Sequence, residues 1–145
     1  MEYKFYGSDT QSVKPINKEF FAIKDQRHLY DLLSNIWCLY TCAPRLRKDW
    51  SINNKTLGQC SITSFLVQDI FGGEVYGVPL KDGNYHCFNN INGIVFDLTS
   101  EQFNDESLNY INVIKQSRDV HFSSKEKYER YLYLKEKLID LLHSF

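Results

Sequence analysis

Three residues of this chain have the types and the order that nucleophilic catalysis uses: Cys60, then His86, then Asp97. Cys60 stands in Thr56-Leu57-Gly58-Gln59-Cys60-Ser61, at the head of an apolar segment. A thiol at a helix N-terminus faces unpaired backbone N–H groups and the positive end of the helix dipole, and both favour the thiolate. The same N–H groups can receive the oxyanion of a tetrahedral acyl intermediate. His86 lies mid-strand in Asn84-Tyr85-His86-Cys87-Phe88. An imidazole on a strand packed against the Cys60 helix can take the thiol proton and return it to a leaving group. Asp97 closes the apolar run Ile94-Val95-Phe96, where a carboxylate needs a partner. The Asn92-Gly93 turn puts this strand beside the His86 strand, and a short loop at 91–93 would set Asp97 near Tyr85 and His86, where it can fix the imidazole tautomer. Each residue also has a plain structural reading. Cys60 can fill core space, His86 can be a half-exposed strand histidine, and Asp97 can cap the turn Leu98-Thr99-Ser100-Glu101.

Elements must hold these groups. Asp25 reads as an N-cap, and Leu29, Leu32, Leu33, Ile36, Trp37 and Tyr40 follow at helical spacing up to Pro44. Residues 44–57 are polar and basic and read as loop, with Arg45, Arg47 and Lys48 ahead of Trp50, a ring suited to fill core. Between Cys60 and Phe71, apolar side chains surround most of a helical wheel, which predicts a buried helix stopped by Gly72-Gly73. Glu74–Leu80, Tyr85–Asn90 and Ile94–Leu98 read as strands joined by Asp82-Gly83 and Asn92-Gly93 turns, an antiparallel meander. Asn112–Lys115 and Val120–Phe122 suit a further strand or a loop. Ser123 and Glu126 form an S-x-x-E capping box before a final helix. Residues 1–24 suit a leading strand or an extended arm. The order is α+β.

At 145 residues the chain is expected to form a single domain, 1–145, large enough to fold without disulfides or metal. Hydrophobic residues make up 43% and charged residues 24%, which excludes wholesale disorder. The net charge of −1 argues against nucleic acid or an anionic membrane surface as partner. No signal peptide is visible, so the four cysteines are expected to be reduced thiols in a cytoplasmic protein. No Cys-x-x-Cys pair occurs, and His28, His121 and His143 make no ligand cluster, so no metal or cofactor is expected. Cys87, next to His86 on a strand, should face the opposite side as core.

Beyond single residues, T-L-G-Q-C-S-I-T-S-F-L-V-Q-D-I-F-G-G-E-V, H-C-F-N-N and F-D-L-T-S-E-Q-F together resemble the YunG family of small bacterial proteins. The arrangement is more broadly similar to papain-like cysteine proteins, which include peptidases, amidases, deamidases and transglutaminases. That resemblance implies a papain-like α+β fold: a buried helix with the cysteine at its N-terminus, packed on a small antiparallel sheet and flanked by helices. It implies Cys60 as nucleophile, His86 as base and Asp97 as orienter, acting on a peptide, protein or small amide. Gln59 is the candidate oxyanion or substrate contact, although papain-type enzymes place that glutamine several residues earlier. The alternative is a catalytically inactive module of the same fold that binds a peptide or protein.

Overall fold

The structure is a computed structural model and describes residues 2–103 and 108–144. The helices are α1 (Gln26–Ser34), α2 (Cys60–Phe71), α3 (Arg118–Phe122) and α4 (Lys125–His143). The strands are β1 (Glu74–Pro79), β2 (Tyr85–Ile91), β3 (Ile94–Phe96) and β4 (Ile114–Lys115), in the order β3-β2-β1-β4, and every pairing is antiparallel. The class is therefore α+β, with one small sheet and helices around it. Among the described residues no helix is long and apolar enough to cross a membrane.

α2 is the axis of the core. Ile62, Phe65, Leu66, Val67 and Ile70 are each fully buried. Burial of such a side chain stabilises by about 1.5–3 kcal/mol, so this helix has nowhere else to go. Gly72 ends it at φ +83°, a conformation that favours glycine. Two polar ties fix it further. Asn89 of β2 donates to the Ser64 carbonyl at 2.9 Å, and the Trp37 indole donates to Thr63 Oγ1 at 3.0 Å.

The first helix is shorter than its apolar spacing predicts. It stops at Ser34, although Trp37 beyond it is buried. Ser34 Oγ donates to the Tyr30 carbonyl and Asn35 Nδ2 to the Asp31 carbonyl, local bonds that compete with the helix ladder. Residues after it turn, and Pro44 opens a 3-10 helix, Pro44–Asp49, inside the expected loop. Arg47 is structural there, donating to the carbonyls of Leu39, Tyr40 and Cys42. Trp50 is half-buried and donates to the Lys55 carbonyl, outside the core.

Two further boundaries move. Val120–Phe122, read as strand or loop, lies in α3, capped by Ser117. The cap of α4 is Ser124, whose side chain accepts from Lys127 N, while Ser123 closes α3. The predicted box is therefore one residue early, because two short helices abut at a serine pair.

The N-terminal segment is an arm. Val13 N donates to buried Gln26 Oε1, and Arg27 donates to the Ser8 and Thr10 carbonyls. Gly7 has φ +80°, and a Cβ there would overlap the Val95 carbonyl. Only glycine lets the arm press this close to β3, so that Tyr6 bridges Asp97.

Candidate functional site

Cys60 is the first residue of α2, preceded by Gln59 as N-cap, and no side chain caps the helix. Its first-turn amides are therefore free of a capping side chain. The Cys60 sulfur, partly exposed, lies at the backbone edge of β2, 4.0 Å from the Tyr85 carbonyl oxygen and beside the Cys87 N–H. β3 pairs with β2 only over Asn89–Ile91, which leaves this earlier stretch of edge open to the helix end.

His86 is 1% exposed, and its Nε2 lies 2.6 Å from Asp97 Oδ2. The other ring nitrogen is thereby left free of Asp97, and the Cys60 sulfur stands near enough for the two groups to shift each other's pKa. The ladder places Asn89 opposite Phe96, so Asp97 falls level with Phe88 and not with Tyr85 and His86 as the turn suggested. Its carboxylate still reaches His86, because residues two apart on a strand share a face.

Asp97 is held from several directions. Oδ1 accepts from Thr99 N at 3.1 Å, and Oδ2 accepts from the Tyr110 hydroxyl at 2.7 Å. Its own N–H donates to the Tyr6 carbonyl at 2.9 Å. Tyr6 stacks on Tyr110 with ring centroids 3.8 Å apart. Phe103 meets the His86 ring edge-on at 4.7 Å and shields it from water.

This environment sets the charges. Burial pushes the imidazole down, but the Asp97 carboxylate and the Cys60 thiolate outweigh it and raise His86 to about 10. Cys60 is held well below an ordinary thiol. The neighbouring Cys87 thiol favours its ionised form, burial opposes, and the His86 charge and the Cys87 backbone N–H add to the fall. Cys87 is driven the opposite way by the same contact and by burial. The His86 and Cys60 shifts both favour a thiolate–imidazolium pair backed by a carboxylate.

A family model for the YunG protein matches residues 25–143. The chain belongs to the YunG family. It is similar to "Uncharacterized protein YunG" of Bacillus subtilis (strain 168), 29% identical over 109 residues, covering 75% of this chain and 87% of that one. No solved structure matches. The YunG match includes Cys60, His86, Asp97 and Tyr110 and begins after the arm that carries Tyr6.

Within this YunG chain the structure brings Cys60, His86 and Asp97 together and sets Gln59 apart. Gln59 is fully buried, its Nε2 donates to the Cys38 carbonyl at 3.2 Å, and its Oε1 has no partner among the described residues. That contact ties the Cys38–Cys42 turn to the head of α2, where an oxyanion contact was expected. Cys87 is core, as expected of a strand neighbour of His86, yet its thiol also meets Cys60. The reason is the edge-on approach of Cys60, which sees both faces of β2. All four cysteines are free, and no cluster of metal-ligating residues occurs among the described residues.

Two members were missed. Thr99 follows Asp97 at the spacing of an Asx turn, a signal present in Asp97-Leu98-Thr99. Tyr110 has no such signal, standing in an aperiodic stretch. Its hydroxyl bond to a charged partner predicts that Tyr110→Phe lowers stability in urea unfolding by about 1.5 kcal/mol. A loss below about 0.5 kcal/mol would mean that the carboxylate finds an equal donor in water.

Proposed function

We propose that this protein is a cysteine-dependent acyl-transfer enzyme acting on amides, built on a papain-like arrangement. The observation that carries the reading is the buried His86–Asp97 pair at 2.6 Å set against a thiol at the uncapped N-terminus of α2. The Cys60 thiolate attacks the amide carbonyl carbon. The oxyanion meets first-turn amides of α2, and the imidazolium delivers its proton to the departing amine. The thioester then passes its acyl group to water, activated by the neutral imidazole, or to an amine. Water gives a hydrolase or deamidase, an amine a transglutaminase-type product. Four free thiols suit the reducing cytoplasm.

The test is iodoacetamide labelling across pH, read thiol by thiol by mass spectrometry. Cys60 should label first among the four cysteines at about pH 6–7, where an ordinary thiol is only a few per cent ionised. Labelling of Cys60 only near pH ~8.5, with the profile of a free thiol, would remove the nucleophile and leave the binding-module reading.

A further inference from the structure

A second polar cluster, contributed by β4 and the two C-terminal helices, borders the thiols. Lys127 Nζ lies 2.9 Å from His121 Nδ1, His121 Nε2 lies 2.8 Å from Gln116 Oε1, and Gln116 Nε2 donates to the Ile114 carbonyl at 3.0 Å. An ammonium can only donate, so Nδ1 accepts and the ring proton sits on Nε2, directed at Gln116. Burial, aided by the Lys127 charge, lowers His121 to about 4, so this imidazole is neutral at pH ~7.

The backbone places this chain of bonds beside the nucleophile. The Gln116 amide lies over Gly77, where a Cβ would come within 2.6 Å of its nitrogen and 2.9 Å of Tyr85 Cβ. Gly77 pairs with Cys87 across the ladder, and Tyr85 supplies the carbonyl beside the Cys60 sulfur. At the head of the chain, the Lys127 charge registers on both Cys60 and Cys87.

Lys127 is half-buried, and burial lowers its pKa. An ammonium carries three donors, and the acceptor it meets here is a neutral ring. Among the described residues no carboxylate pairs with it. Its sequence neighbour Glu126 is taken by Arg130 at 2.6 Å, with Arg47 at 3.8 Å. Among the described residues this half-buried ammonium has no carboxylate of its own and only the neighbouring sulfurs to balance it, so it has donors left for an arriving anion.

We propose that Lys127 forms an anion subsite and that the amide substrate carries a carboxylate, which the ammonium holds beside Cys60. This rests on the acyl-transfer reading and narrows its substrate class. The bonds through His121 and Gln116 to the Ile114 carbonyl fix where that ammonium stands.

Two alkylating agents of nearly equal size and opposite charge character provide the test: iodoacetate, an anion, and iodoacetamide, neutral. The quantity read is the iodoacetate-to-iodoacetamide rate ratio at Cys60, divided by the same ratio for glutathione in the same buffer. The wild-type value should be about fivefold or more, and it should shrink as salt is added. Lys127→Met should bring it near unity, the iodoacetate rate falling several-fold more than the iodoacetamide rate, and Lys127→Arg should retain it. A wild-type value near unity overturns the proposal. Equal slowing of both reagents in Lys127→Met also overturns it, because the ammonium then serves the thiolate alone. Failure of Cys60 to react with either reagent sinks the nucleophile reading and this inference with it. Should Lys127→Met unfold, exposing all thiols alike, the wild-type ratio and its salt dependence decide.

Discussion

His86→Ala should slow iodoacetamide labelling of Cys60 roughly thirtyfold at about pH 6.5. The imidazole supplies both a positive charge and a hydrogen bond to the sulfur. Without them the thiol moves back toward its ordinary range, where about 1% is thiolate at that pH. The loss is smaller than the full hundredfold because a more basic thiolate is also a better nucleophile. The Cys87 thiol and N–H remain as donors, which limits it further. Above pH ~9 the two proteins should converge, since both thiols are then ionised. Half-exposed Cys38 is the internal standard, as its environment does not involve His86. Equal Cys60 rates in the two proteins near pH ~6.5 would show that the sulfur owes nothing to the ring.

Asp97→Asn should cost about 3 kcal/mol of stability at pH ~7, because it leaves a buried imidazole without its counter-charge. The bond from Thr99 N survives on an amide oxygen, so the loss stays at the lower end for a broken buried pair. The pH dependence has a definite sign. His86 is raised from 6.5 to about 10 in the folded protein. A group raised on folding contributes its full stability below its unfolded pKa and loses it as pH rises through the folded value. The difference between wild type and variant should therefore shrink between about pH 7 and pH 10.5. Cys60 has the opposite sign: its pKa is depressed, so its contribution fades as pH falls through the folded value. Urea midpoints at several pH values measure both limbs. A gap that stays constant across the alkaline range would mean that the pair is not ionic.

The legible part of this site was the part encoded locally. A wheel of apolar residues after Cys60 can only be a buried helix, and its start follows from where the apolar pattern begins. The Asn92-Gly93 turn indicated which strand neighbours β2, though Ile91 pairs with Ile94 across a two-residue turn, which sets Asp97 level with Phe88 and not with Tyr85 or His86. What periodicity does not encode stayed hidden. Tyr110 reaches Asp97 from outside any helix or strand, and the Tyr6 bridge depends on an N-terminal arm pressed against β3. Local hydrogen bonding by Ser34 and Asn35 overrode an apolar spacing that continued to Tyr40. The edge-on meeting of Cys60 with Cys87 follows from the short β3, a length that alternation does not reveal.

The imidazole that helps lower the Cys60 pKa is backed by Asp97, whose carboxylate accepts from Tyr110 and whose backbone N–H donates to the Tyr6 carbonyl. The thiol, however, is made long before Tyr110. A growing chain leaves the ribosome with Cys60 exposed first, its base later and the last clasp on the carboxylate later still. Until then the sulfur lacks the share of its acidity that the Asp97-backed ring supplies. Fragments that end before Tyr110 should remain in that condition, so full reactivity is conferred only on a chain that has nearly finished folding.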